Sequence, residues 1–191
     1  MKQLRESITC VLALSVLTGI VYPALVWGAS RLLFPYEAEG SLIRHDGQVL
    51  GSALIGQNFS EPTYFWSRPS ATTPVPYNAA SSSGSNLALA NPQLNENVRA
   101  RVERLRDAGP IKQQPIPVDL VTSSASGLDP EISVAAAHYQ VSRVAEFRRL
   151  SEERVEKLVQ EGTKHRFLGL FGEERVNVLE LNLALDRVSV E

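Results

Sequence analysis

Hydrophobic and polar positions divide this chain unevenly. From Ser7 to Ser30 there is no charged residue, and the apolar character continues through Leu32, Leu33 and Phe34. At about 1.5 Å rise per residue, two dozen residues make roughly 36 Å of helix. A hydrocarbon core is about 30 Å thick, so the run is long enough to span it with some tilt. A cleavable signal would have a shorter apolar region, of about 7–15 residues, and a small-residue cleavage site. Here Gly28-Ala29-Ser30 is a weak match, behind Pro23 and Trp27. The pattern predicts a short leading segment over 1–6, a transmembrane helix over 7–34 and one domain over 35–191.

Beyond the span the pattern breaks into short pieces. Ser41–Arg44 and Gln48–Ile55 read as strands joined by Asp46-Gly47, since glycine accepts positive φ freely. Phe59, Tyr64, Phe65 and Trp66 follow closely, a cluster suited to a core or a subunit interface. Residues 72–91 form a Pro-, Ser-, Ala- and Asn-rich tract that predicts a long irregular loop. Asn91-Pro92 starts a helix, with Leu94, Val98, Val102 and Leu105 on one face and Gly109-Pro110 as its stop. Pro117–Val121 reads as a strand. Asp129-Pro130-Glu131 has the form of a second helix start, Asp capping and Pro first. Ser151 caps a third helix that ends at Gly162, and Val176–Leu183 alternates as a strand does. The predicted class is α+β, a mixed α/β extracytoplasmic domain on one membrane helix.

Charge sets the orientation. Lys2, Arg5 and the amino terminus outweigh Glu6, which keeps the leading segment cytoplasmic and exports the bulk of the chain. After Ser30, 17 basic residues face 20 acidic ones, so no basic stripe favours nucleic acid. The one cysteine, Cys10, lies in the span, which leaves the outer domain without a disulfide. That domain relies on its core.

Candidate chemistry is sparse. His45, His138 and His165 are scattered and lack ligand spacing. Asp129 with Glu131 is better explained as capping, and Glu173 with Glu174 as a turn. The sequence has no nucleophile elbow, no phosphate-binding GxxxxGK loop and no TVGYG-like filter. Ser81–Asn86 and Ser123–Gly127 have the composition of anion-cupping loops, but capped turns without a ligand explain them better. The expectation is a chain with no catalytic residue and no cofactor or metal of its own. Within the span, Ser15 and Gly19 make a small-xxx-small pair and Pro23 continues the same face, a pattern suited to packing against another helix and to a kink.

A set of motifs then stands out in order along nearly the whole chain. These are VYP in the span, GSALIGQNF at 51–59, YFWSRPSA at 64–71, YN…SGSNL at 77–87, LVTSSASGLDPEIS at 120–133, QVSRVA at 140–145 and VNVLELNLALD at 176–186. Together they resemble the C subunit of the Kdp potassium-transporting P-type ATPase. The resemblance implies a non-catalytic accessory subunit of a bacterial inner-membrane complex for high-affinity potassium uptake. Its implied partners are a potassium-conducting A subunit, an ATP-hydrolysing B subunit and a small F subunit, with membrane lipid and no nucleic acid. ATP and potassium are handled by the complex. The family is described as a catalytic chaperone that raises the ATP affinity of the B subunit. Cytoplasmic ATP and an exported domain conflict, so the preferred physical role is a brace on the outer mouth of the A subunit.

Two departures from the family pattern occur, Ser83 where SGGS is frequent and Glu174 where proline is frequent. Ser15, Gly19 and Pro23 are the expected helix-packing residues. Tyr64, Trp66, Arg68 and Asn86 are the expected subunit-interface residues. An alternative of another class is a membrane-anchored solute-binding or sensor module, with the 72–91 loop as a lid.

Overall fold

The computed structural model describes residues 1–109 and 114–188. It divides into two compact units, Met1–Ser52 and Ala53–Glu191. The hairpin that the sequence places at the start of the outer domain therefore groups with the helical unit.

In the first unit, Lys2–Leu33 is one apolar helical rod of 32 residues with no buried position. It consists of α1 (Lys2–Val16), a π-turn (Leu17–Val21) and α2 (Tyr22–Leu33). The π-turn is how the helix absorbs Pro23. Proline has no N–H to return to Gly19, and the backbone widens just before it, Tyr22 N–H reaching Leu17 O five residues back. Arg31 at the far end lies over the Trp27 ring, 5.4 Å from its centroid, and pairs with Glu39 at 3.1 Å. A short helix α3 (Pro35–Ala38) follows, then β1 (Leu42–His45) and β2 (Gln48–Ser52). The antiparallel hairpin turns on Asp46 and Gly47, at φ 49° and 78°. Two successive positive φ values are the signature of the tight turn that Asp-Gly favours.

The second unit contains helix α4 (Pro92–Asp107), a 3₁₀ turn (Val118–Leu120), β3 (Glu131–Ser133), α5 (Val134–Arg148), α6 (Glu152–Glu161), β4 (Thr163–Lys164), β5 (Arg175–Asn177) and α7 (Val178–Val188). The strands form a small antiparallel sheet in the order β3-β5-β4, with Val176 facing Ile132 on one side and Thr163 on the other. The core lies between this sheet and α5, α6 and α7. Phe65, Ile132, Val144, Val155, Val159, Val176, Leu181 and Leu185 are each at most 2% exposed.

The helix starts at Asn91 and Ser151 are as expected: Asn91 Oδ1 accepts from Gln93 N–H, and the Ser151 hydroxyl accepts from Arg154 N–H. No helix or strand interrupts residues 72–91. Three expectations are corrected. Pro117–Val121 is a 3₁₀ turn rather than a strand. Glu131 begins a strand, not a helix; α5 starts after Ser133, whose hydroxyl caps Ala136 N–H. The Asp129 carboxylate accepts from Glu131 N–H and binds Arg68, so it caps no helix. Lastly, Val176–Leu183 is a strand only to Asn177. There Asn177 Oδ1 accepts from Glu180 N–H, and the chain turns into α7. Val178, Leu181 and Leu185 then recur at helical spacing toward the core, which the strict alternation concealed. Of the expected stop signal Gly109-Pro110, Pro110 lies outside the described residues.

Candidate functional site

The aromatic segment 61–66 is laid across α5 and α7 with almost no secondary structure of its own, so its backbone polar groups need partners elsewhere. Side chains supply them. Asn182 on α7 accepts from Phe65 N–H at 2.9 Å and donates back to Phe65 O at 3.0 Å. Gln140 on α5 does the same for Trp66, accepting at 2.7 Å and donating at 3.2 Å. Both amides are about 1% exposed. Each acts as a surrogate neighbouring strand, one residue wide.

Arginines complete the fastening. Arg143 donates to the carbonyls of Pro62 and Tyr64 and, through its second terminal nitrogen, to Gln140 Oε1 at 2.7 Å. Arg148 donates to Thr63 O at 2.8 Å, pairs with Asp186 at 2.7 Å and lies 4.5 Å from the Tyr64 ring centroid. The Tyr64 hydroxyl donates to the same Asp186 at 3.2 Å. Trp66 is 8% exposed, with Arg143 and Arg104 at 4.3 and 4.6 Å from its ring centroid. Burial, with the Arg104 charge beside it, brings the Arg143 guanidinium down to about 10.

Arg68 leads away from this strap. It pairs with Asp129 at 2.9 Å, and the neighbouring Tyr77 hydroxyl donates to Arg68 O. Burial pushes the Tyr77 phenol up to about 12. The two serine-rich loops are tied to one another: Ser83 N–H and the Ser82 hydroxyl both donate to Ser126 O. Ser124 and Ser126 hydroxyls accept from Gly127 and Leu128 N–H groups. These are self-capped turns, with the Ser82, Ser83, Gly127 and Leu128 donors spent on the chain itself. Gly127 sits at φ +67°, and a Cβ there would fall 2.5 Å from Ser83 O. Only glycine fits that contact.

Of the residues singled out from sequence, Tyr64, Trp66 and Arg68 therefore lie on one continuous segment, while Asn86 is exposed on the loop at φ 50°. Ser15, Gly19 and Pro23 sit in the other unit, on the exposed helix. Sequence reasoning missed Gln140, Arg143, Arg148 and Asn182. The available signal was a polar pair three apart, Gln140 and Arg143, in a helix otherwise rich in alanine and valine. The histidines pair with carboxylates instead of each other, His45 with Asp46, His138 with Glu156 and His165 with Glu174. Among the described residues no group of three or more His, Cys, Asp or Glu is placed to hold a metal ion.

One apolar feature stands apart from this polar network. At the turn between β4 and β5, Phe167, Leu168, Leu170 and Phe171 are 64–76% exposed. The turn is built: Phe167 bridges Phe171, Gly169 and Gly172 take φ of 71° and 85°, and Arg166–Glu173 at 2.6 Å closes its base.

The chain matches the family model described as K+-transporting ATPase, c chain, over residues 4–187. It is 58% identical over 184 residues to the potassium-transporting ATPase KdpC subunit of Herpetosiphon aurantiacus, covering 96% of this chain and 95% of that one. The subunit of the same name from Dechloromonas aromatica is 55% identical over 186 residues, 97% of each chain. That of Ralstonia nicotianae is 57% identical over 182 residues, 95% of this chain and 89% of its own. With the motifs of the strap, the loops and α7 all inside the matched region, the chain belongs to the KdpC family, the c chain of the K+-transporting ATPase.

Proposed function

We propose that this chain is the non-catalytic accessory subunit of an ATP-driven, high-affinity potassium uptake complex, holding the assembly together rather than conducting ions or hydrolysing ATP. The observation that supports this most directly is the Lys2–Leu33 rod, apolar and without one buried residue. Such a helix needs lipid and neighbouring helices to cover it. The rod is a single pass through the bacterial inner membrane, with Lys2 and Arg5 on the cytoplasmic side and the second unit in the periplasm. Ser15, Gly19 and Pro23 pack against a partner span.

In this reading the second unit braces the outer mouth of the potassium-conducting A subunit, in a complex completed by the B and F subunits. The apolar tip Phe167–Phe171 docks on a partner subunit, because its base is neutralised within the chain and large exposed apolar surface on a subunit favours a protein partner. Of the interface residues, Asn86 meets a partner directly, Tyr64 and Arg68 do so at their half-exposed edges, and Trp66 holds the surface in shape. Any rise in the ATP affinity of the B subunit is transmitted through the membrane helix, since that is the part of the chain that reaches the cytoplasmic side.

The test is twofold. Deleting the chain abolishes ATP-driven potassium uptake, and the tagged chain co-purifies with the two large subunits. A cysteine replacing exposed Ser81, in a Cys10→Ser background, reacts with a membrane-impermeant reagent added outside spheroplasts. Uptake that survives deletion ends the accessory role; labelling only after lysis reverses the orientation.

A further inference from the structure

Arg68, Arg101 and Arg104 line one cavity of about 230 Å³, together with Phe59, Trp66 and Ser70, and no carboxylate is among the described residues that line it. The three guanidiniums are incompletely neutralised. Arg68 spends a terminal nitrogen on Asp129, but its Nε is buried with no hydrogen-bond partner, the one buried side-chain nitrogen or oxygen in that state among the described residues. Arg101 donates to Val121 O and the Ser123 hydroxyl, which are neutral acceptors. Arg104 lies on the Trp66 face, with Arg143 on the same indole. Among the described residues neither Arg101 nor Arg104 has a carboxylate partner.

We propose that this cavity binds a phosphate-class oxyanion. Like charges gathered in one recess call for a counter-charge. A water would leave the cationic recess uncompensated. One carboxylate satisfies one guanidinium, as Asp129 already does for Arg68. A phosphate offers up to two charges and at least three acceptor oxygens, enough to engage several guanidiniums at once. The volume lies below the roughly 300–1,000 Å³ of sites that enclose drug-sized ligands, so it suits a phosphate on a short stem and not a nucleotide. Phe59 and Trp66 provide the apolar wall for such a stem. Two sources share this chemistry, free phosphate and the phosphomonoester of a lipid headgroup. The inference stands apart from the accessory-subunit reading: the chain binds the oxyanion whether or not it braces a channel.

The full chain in phosphate-free detergent micelles is the material for the test. Trp27→Phe leaves Trp66 as the sole indole, and its emission is followed during titration with inorganic phosphate or glycerol 1-phosphate against chloride of equal ionic strength. The expected result is a saturable change with phosphate but not with chloride, weakened at least tenfold by Arg101→Gln and by Arg104→Gln. The exposed side chain of Arg104 makes its variant safe for folding, which circular dichroism checks. Tighter binding of glycerol 1-phosphate assigns the headgroup as the source, and equal binding assigns the free ion. An unsaturable response, one equal to that with chloride, or unchanged affinity in the folded Arg104→Gln protein overturns the proposal.

Discussion

Asn182 and Phe65 exchange a complete pair of amide hydrogen bonds, at 2.9 and 3.0 Å, across 117 positions of sequence. The contact is wholly buried, so no water can replace it. Asn182→Leu keeps the branched shape, in a somewhat larger side chain, but orphans one N–H and one C=O. Each such group costs about 1–3 kcal/mol. The expected loss is about 2–6 kcal/mol, read as a lowered midpoint in denaturant for the variant against the parent chain in the same detergent.

Gly127 and Gly40 separate two costs that glycine hides. Both have positive φ, +67° and +85°, but a Cβ on Gly127 meets Ser83 O and Thr72 Cγ2 while one on Gly40 meets nothing. Gly40→Ala therefore costs about 1 kcal/mol of backbone strain. Gly127→Ala adds a clash that pries the two serine loops apart, for about 2–4 kcal/mol in all. Thermal melts of the two variants side by side should rank them in that order.

Tyr77 gives the domain an alkaline limit. Its phenol rises from the ordinary value of 10 to about 12 because burial disfavours the phenolate. The folded state thus holds its proton more tightly than the unfolded chain does. The stabilisation is complete below pH 10 and is lost as pH climbs from about 10 to about 12, by on the order of 2 kcal/mol. Tyr77→Phe should start from lower stability, having lost its bond to Arg68 O. Over that same window it should show a flatter slope. A parent chain whose stability does not fall across pH 10–12 contradicts this.

Gly19 offers a clean probe of the span. Beyond the backbone of its own helix, a Cβ added there meets no atom within 4 Å. Gly19→Ile should leave the isolated subunit unchanged in helix content and melting. If a partner helix lies against that face, the same substitution lowers co-purification with the large subunits several-fold. Leu12→Ile, on the same exposed rod, serves as the matched control.

What the chain reveals by inspection is what local chemistry decides. Asp46-Gly47, Asn91-Pro92 and Ser151 each set a turn or cap within a few residues, and each does so in the structure. Val176–Leu183 defeats inspection because period two and period 3.6 coincide over so short a run. Pairing of Val176 with Ile132 and Thr163 settles where strand yields to helix, and those partners lie far off in sequence. The strap was hidden for a related reason. Tyr64, Trp66 and Arg68 draw attention as aromatic and charged residues. Gln140, Arg143 and Asn182 look like the solvent face of a helix until the segment they fasten is seen lying on them.

The widened turn at Leu17–Val21 has a geometric consequence for the apolar rod. It holds one residue more than an ordinary helical turn, so the stretches on either side are out of phase by about one residue, or 100° of rotation. Regular winding of the same sequence would swing every side chain beyond Pro23 to a new bearing relative to Ser15, whereas deleting one residue from the turn would restore regular winding and leave those bearings as they are. The rod therefore behaves as two consecutive keys cut at different angles, and a mating surface shaped to the widened form tolerates loss of one residue at the turn but not its straightening at full length.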